Sequence, residues 1–360
     1  MGASTASGAM DGRPVGVTVD AKVGVSVDLR VSLQVEVSRG DGGSLDVLDR
    51  AWQAVPAAGS LWKGKAVGCG VPVEPVGEIP VRATQAISAM RGGAQSHLML
   101  GEDQTFWVVK FKNNPQHARV LANEFLATRI AEAVGLSVPR TAMIDVGEWL
   151  IQNSPQLMID FGDGRRERCL SGLQFGSRFG AGVPHQQVFD LLPGERLHRV
   201  CNLGEFAPML VFDRWTSNTD RRQAIFQWNP PEPEYRVLFI DQGSCFSGSR
   251  WEFREDPLLG VCADRRVYAA VTGWESFEPW LTRMEQYRPE LLWQLASGTP
   301  AEWHGAGVDR LESLVETLLA RRSRLREMIR ELQRSSDSPF PNWREGRLFA
   351  GFGEPLAGKG

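Results

Sequence analysis

Residues 211–223 read Val-Phe-Asp-Arg-Trp-Thr-Ser-Asn-Thr-Asp-Arg-Arg-Gln, and beyond a Pro-rich turn residues 237–246 read Val-Leu-Phe-Ile-Asp-Gln-Gly-Ser-Cys-Phe. The first segment carries Asp220 in a polar turn that follows an apolar helical run. The second carries Asp241 directly after four apolar residues and just before Gly243. This pairing suits phosphoryl transfer. An acid on a loop can orient a hydroxyl, and an acid at the end of a buried strand can hold the magnesium that bridges nucleotide phosphates.

Upstream, Lys110 ends the run Phe-Trp-Val-Val-Lys at 106–110, where an unpaired lysine is costly. A helix is expected over 118–134, with Val120, Leu121, Phe125, Leu126, Ile130 and Val134 as its apolar positions and Glu124 inside it. A strand lysine and a glutamate on the next helix form the ion pair with which protein kinases hold nucleotide phosphates. The plain alternative is a snorkelling lysine and a solvated glutamate; the two downstream carboxylates favour the pair. Lys112 shares the face of Lys110, but its place beside Asn113, Asn114 and Pro115 predicts exposure. Before this strand, Gly92 and Gly93 permit backbone amides to approach a phosphate, although taken alone they read as a hairpin turn.

Composition narrows the class. The chain has 360 residues, 42% hydrophobic and 23% charged, with a formal net charge of -3. That suits a globular protein with a sizeable core and argues against direct nucleic-acid binding, which favours a basic excess. Five cysteines without a Cys-x-x-Cys pair point to a reducing cytoplasm rather than a disulfide framework or zinc site. No apolar run approaches the ~20 residues that span a bilayer, so no membrane partner is expected. The five histidines fall outside any nucleophile-elbow or zinc-protease pattern; His97, near the glycine turn, is the one placed to touch a ligand.

Residues 1–78 form an N-terminal extension, read as disordered or as a small β-appendage, with Val and Leu at alternate positions over 15–37. A short helix is expected over 84–90, paired strands over 141–146 and 149–152, and a crossing between two parts of the fold at 173–177. Helices are expected over 184–200, 203–215 and 308–334, with the arginine-rich run at 321–326 on a solvated face.

Lys110, Glu124, Asp220 and Asp241, in that order, make the chain from about 79 to 343 resemble the HipA-like kinases, a bacterial family related to the protein-kinase and phosphoinositide-kinase folds. The resemblance rests on Val-Val-Lys-Phe at 108–111, the Asn123–Glu124 helix, the 212–220 segment and Phe-Ile-Asp-Gln-Gly at 239–243. It implies a two-lobed α+β fold: a small β-rich N-lobe over 79–176, a mainly helical C-lobe over 177–343, and a tail over 344–360. It further implies ATP and Mg²⁺ as cofactors and a protein or small-molecule hydroxyl acceptor, such as a protein Ser or Thr. Asp220 would be the catalytic base, and Lys110 would contact the phosphates, oriented by Glu124. Asp241 would ligate Mg²⁺, and Gly92, Gly93, Gln95 and Ser96 would cover the phosphates.

One departure stands out. The family's loop reads Asp-x-His-x-x-Asn, the Asn being a second metal ligand; here those places hold Arg222 and Ile225. Isoleucine offers no oxygen to a hard cation. Gln223 is the first substitute, Asn218 the second, and Arg222 can steady the loop by pairing with a carboxylate. The alternative function is a pseudokinase or nucleotide-binding regulatory module without turnover.

Overall fold

The computed structural model describes residues 79–90, 92–180, 186–256, 259–305 and 308–344. The extension over 1–78 and the tail beyond 344 lie outside them.

The N-terminal part is a barrel. Strands β1 (Val81–Ala89), β2 (His97–Gly101) and β3 (Phe106–Lys110) form an antiparallel meander. Helix α1 (Arg119–Val134) leads to β4 (Thr141–Val146), α2 (Glu148–Asn153), the hairpin β5 (Met158–Asp160) and β6 (Arg166–Arg168), and β7 (Gly172–Arg178). The barrel closes in the order β1-β2-β3-β7-β4, with β4 running parallel to β1. Met99, Trp107, Val109, Phe111, Ile144 and Val146 fill a core with Ala83 and Ala86 of β1. Residues 84–89 lie in β1 and not in the helix expected over 84–90: they pair with β2, and a register shift between Ala83 and Gln85 lets Ala83 and Ala86, three residues apart, both face the core. Residues 149–152 reverse the other way and lie in α2, not in a strand. The crossing expected at 173–177 falls inside β7, which continues to Arg178.

Helix α1 is buried on both sides. Leu121, Ala122 and Phe125 pack with Phe175 of β7, while Leu126, Ile130 and Val134 join the main core of the C-terminal part. A helix apolar nearly all round belongs in an interior, and here it is the spine between two cores. It stops at Gly135, whose φ of 88° allows its N–H to donate to Glu132 O at 2.9 Å while Leu136 N–H donates to Ala131 O at 3.0 Å.

The C-terminal part begins with β8 (Gln187–Phe189) and a 3₁₀ turn at Gly194–Arg199, in place of the helix expected over 184–200; Leu191 between them is exposed. Helix α3 (Phe206–Thr216) follows a 3₁₀ turn at Leu203–Glu205, and all of its residues are buried. Strands β9 (Gln223–Trp228) and β10 (Tyr235–Ile240) form a hairpin, with β8 on the outer side of β9. The remaining helices are α4 (Trp280–Glu285), α5 (Pro289–Ser297), α6 (Ala301–His304), α7 (Val308–Arg321) and α8 (Leu325–Arg334). The helix expected over 308–334 is thus broken by a 3₁₀ turn at Arg322–Arg324. Its arginine run is not simply solvated. Buried Arg321 donates to Trp215 O at 2.9 Å and Arg214 O at 2.7 Å, and Arg326 spans Glu278 and Glu285. Phe340 tucks back against Tyr268 and Phe277.

Candidate active site

The ladders bring four distant residues to one place. Lys110 closes β3, and buried Glu124 faces it from α1; their side chains form an ion pair. The same Nζ donates to Asp241 Oδ1 at 2.8 Å. Glu124 is doubly held, accepting from the backbone N–H of Gln242 and of Gly243, each at 3.0 Å. Gly243 is required there, because a Cβ would lie 2.8 Å from Val120 Cγ1 and 3.2 Å from Glu124 Oε1. Lys112, by contrast, is half-buried and paired with Glu302 at 2.6 Å, not exposed.

Charge in this cluster is self-consistent. Burial alone would favour neutral Lys110, but the charges of Glu124 and Asp241 outweigh it, and the ammonium is held above its usual range. Burial likewise pushes the Glu124 carboxyl up, against the pull of Lys110. Asp241 would also be raised by burial, yet Lys110 brings its carboxyl below the ordinary 3.8.

Asp241 follows β10 directly and adopts a φ of 62°, which aims its side chain back toward the loop after α3. That loop begins at left-handed Ser217 and is anchored from within: Thr219 N–H donates to Ser244 O at 3.1 Å, and Asp220 N–H to Asn218 Oδ1 at 3.1 Å. Asp220 itself is exposed. Gln223, the first residue of β9, lies opposite Ile240, so its side chain stands beside Asp241. Its Nε2 is 3.0 Å from Asp241 Oδ2 and 3.5 Å from Asp220 Oδ2. Half a turn of the amide would present Oε1 in the same place. Ile225 pairs with Leu238, two residues further along the strand. The loop after Asp220 is short, so counting five residues from the Asp overshoots the position beside Asp241.

Arg222 replaces the family's His and is buried with Asp213 of α3. Its Nε donates to Asp213 Oδ2 at 2.9 Å, its Nη2 pairs with Oδ1, and its Nη1 donates to Ile240 O at 2.8 Å and Gln242 Oε1 at 2.6 Å. Asn218 Nδ2 completes the Asp213 shell at 2.9 Å, which spends its amide on the loop's own support. Asp213 and Gln242 were not singled out from the sequence. An aspartate inside the apolar run 210–215 was the available signal, since a buried carboxylate demands a partner.

The turn between β1 and β2 lies at the Lys110 end of the sheet, because His97 pairs with Val109. Gly92 takes a φ of 131°, and Gly93 approaches Gln116 just before α1. Gln95 turns its side chain onto β5, accepting from Asp160 N–H at 2.7 Å, and its own N–H donates to Gly92 O at 3.1 Å. Ser96 closes the turn by accepting from Met90 N–H at 2.8 Å. Gln95 therefore shapes the turn that Gly92, Gly93 and Ser96 also belong to. His97 is not offered to a ligand: it is buried edge-on to Phe111 with Nε2 3.1 Å from Gln156 O. A recess of about 390 Å³, lined by Leu191, Leu192, Phe226, Val267, Gln223 and Asp264, opens at the start of β9.

Asp241, with the Gln223 amide oxygen that half a turn would present, could offer oxygen to a hard cation that also binds phosphate and water. Among the described residues no cluster of three His, Cys, Asp or Glu converges as a protein-only metal cage. No helix among them is long and apolar enough to cross a membrane.

Comparison with solved structures finds a Helicobacter pylori proinflammatory kinase, CtkA, at 13% identity and a TM-score of 0.41, over 68% of this chain and 99% of that one. Hydra Fam20 with sugar gives 12% identity and a TM-score of 0.44, over 74% and 90%. The Golgi casein kinase with Mn/ADP bound gives 12% and 0.43, over 71% and 74%. No curated protein sequence matches. The family model of the HipA-like kinases matches residues 84–328, more than half of the sequence and the whole of the region built around Lys110, Glu124, Asp220 and Asp241; the chain belongs to the HipA-like kinase family.

Proposed function

We propose that the protein is an ATP-dependent phosphotransferase with a hydroxyl acceptor, a Ser or Thr side chain of a protein being the foremost class, working in a cleft between a β-rich lobe and a helical one. The observation that carries this reading is the single cluster in which Lys110 touches both Glu124 and Asp241, with Gln223 reaching from Asp241 toward Asp220. Mg²⁺ with ATP, when bound, supplies the transferable phosphoryl group and neutralises its charge. Asp241 would hold the metal, Gln223 would add an amide oxygen, and Lys110, kept cationic by its two carboxylates, would steady the phosphates. Gly92, Gly93 and Ser96 would close over them. Asp220, exposed on its loop, would orient the acceptor hydroxyl and take its proton.

The competing reading, a nucleotide-binding regulatory module without turnover, is motivated by Ile225, but the position of Gln223 beside Asp241 weakens that motive. A thermal-shift titration with ATP separates them, because a ligand of the folded state raises stability as RT ln(1 + [L]/Kd). The phosphotransferase reading expects a shift that needs Mg²⁺ and is lost in Asp241→Asn. A shift of equal size without Mg²⁺ favours the module, and no shift with either defeats both.

A further inference from the structure

The short helix α6 touches both scaffolds that carry the Lys110–Glu124 pair. Trp303 is wholly buried and packs with Leu121, Ala122 and Phe125 of α1 and Phe175 of β7. Its ring lies edge-on to Phe125 with centroids 6.0 Å apart, and its Nε1–H donates to Leu173 O of β7 at 3.1 Å. Glu302 Oε2 accepts from Lys112 Nζ at 2.6 Å, two residues past Lys110 on the strand side of the pair. His304 O accepts from Arg119 Nε at 3.1 Å at the first residue of α1. The His304 ring stacks on Trp251, whose Nε1–H donates at 2.7 Å to Asn123 Oδ1, the residue before Glu124.

We propose that residues 302–304 are a positioning clamp for the nucleotide site, fixing α1 against β3 and β7 at the depth where Glu124 reaches Lys110. This rests on the phosphotransferase reading and extends it to residues that touch neither nucleotide nor acceptor. The physical need is plain. Glu124 meets Lys110 and two backbone amides at once, so a displacement of α1 by about 1 Å would break several bonds together, and misplacement on that scale costs on the order of a hundredfold in rate. The C-terminal end of α1 has its own hold, Arg283 donating to Val134 O at 3.1 Å and Trp280 Nε1–H to Gly135 O at 2.9 Å, whereas residues 302–304 act on the half of the helix that carries Glu124.

The test uses the full chain, below its thermal transition, with two readouts. One is amide hydrogen exchange across 119–134, with 206–216 as an internal reference; the other is the Kd for Mg-ADP. Trp303→Ala is expected to speed exchange in 119–134 while leaving 206–216 unchanged, and to weaken Mg-ADP by about tenfold, a fraction of the misplacement effect above. Trp303→Phe should restore most of both. Exchange rising equally in the two helices with Kd unchanged would show a general packing contact and overturn the clamp. Should Trp303→Ala fail to fold, Glu302→Gln with Lys112→Gln carries the same two readouts at the solvent edge, with the same expected and contrary results. If the wild type binds no Mg-ADP, the phosphotransferase reading falls, and the exchange pattern still decides whether α6 holds α1.

Discussion

Arg222 shows how one substitution can be absorbed without loss of order. Its guanidinium meets Asp213, Ile240 O and Gln242 Oε1, tying the loop that carries Asp220 to the segment that carries Asp241. Burial pushes Asp213 up and Arg222 offsets it, so each depends on the other. Arg222→Ala should therefore cost about 3–5 kcal/mol in a denaturant titration, the range for stranding a buried charge. Adding Asp213→Asn should recover a large part of that loss, since the stranded carboxylate is removed. His97 offers a pH test at the same scale. Burial lowers its pKa from 6.5, so the folded state disfavours its proton while the unfolded chain accepts it. Stability is then full above about 6.5 and declines as pH falls through the lowered folded value. His97→Gln should show a flatter stability profile below pH 6.5; an identical profile would contradict this.

The hairpin of β9 and β10 sets which residue stands beside Asp241. The sequence count points to Ile225, whereas the ladder puts Gln223 opposite Ile240 and so beside Asp241. A loop's length in residues is poor guidance when the strand after it can begin early, and only pairing fixes the register. Gln223→Ala should weaken Mg²⁺ dependence of phosphotransfer by about ten- to hundredfold, the range for a residue that completes or steadies a metal shell. Ile225→Asn should give no gain in kcat/KM; a clear gain would place the ligand where the count did. Helices were the least legible elements. Residues 84–90 and 184–200 carry apolar spacings compatible with a helix, yet barrel closure and β-pairing win, because tertiary pairing overrides weak local preference. Residues 106–110 and 119–134 read correctly, since aromatic and β-branched residues dominate the first and helical spacing ending at Gly135 marks the second.

Across the whole molecule, α1 packs in the main C-terminal core and in a small cluster with Phe175 and Trp303, and the candidate site sits where α1, the end of β3 and the end of β10 meet. The order Lys110, Glu124, Asp220, Asp241 was readable because each stands out against its local texture: a lysine after aromatics, an aspartate after a buried strand. The supports of that site were not. Gln242, Glu302 and Trp303 act through contacts 20 to 190 residues away in the chain, Asp213 through a partner 9 residues on, and no motif announces them. The central claim is that Asp220 and Asp241 work together in phosphoryl transfer. It is tested most directly by incubating the full chain with γ-labelled ATP, Mg²⁺ and a panel of protein acceptors, alongside Asp220→Asn. The account predicts label transfer by the wild type that falls by about 10²–10⁴-fold in the variant, the contribution of a positioned general base; equal transfer by the two proteins, or none by the wild type to itself or any acceptor, would contradict it.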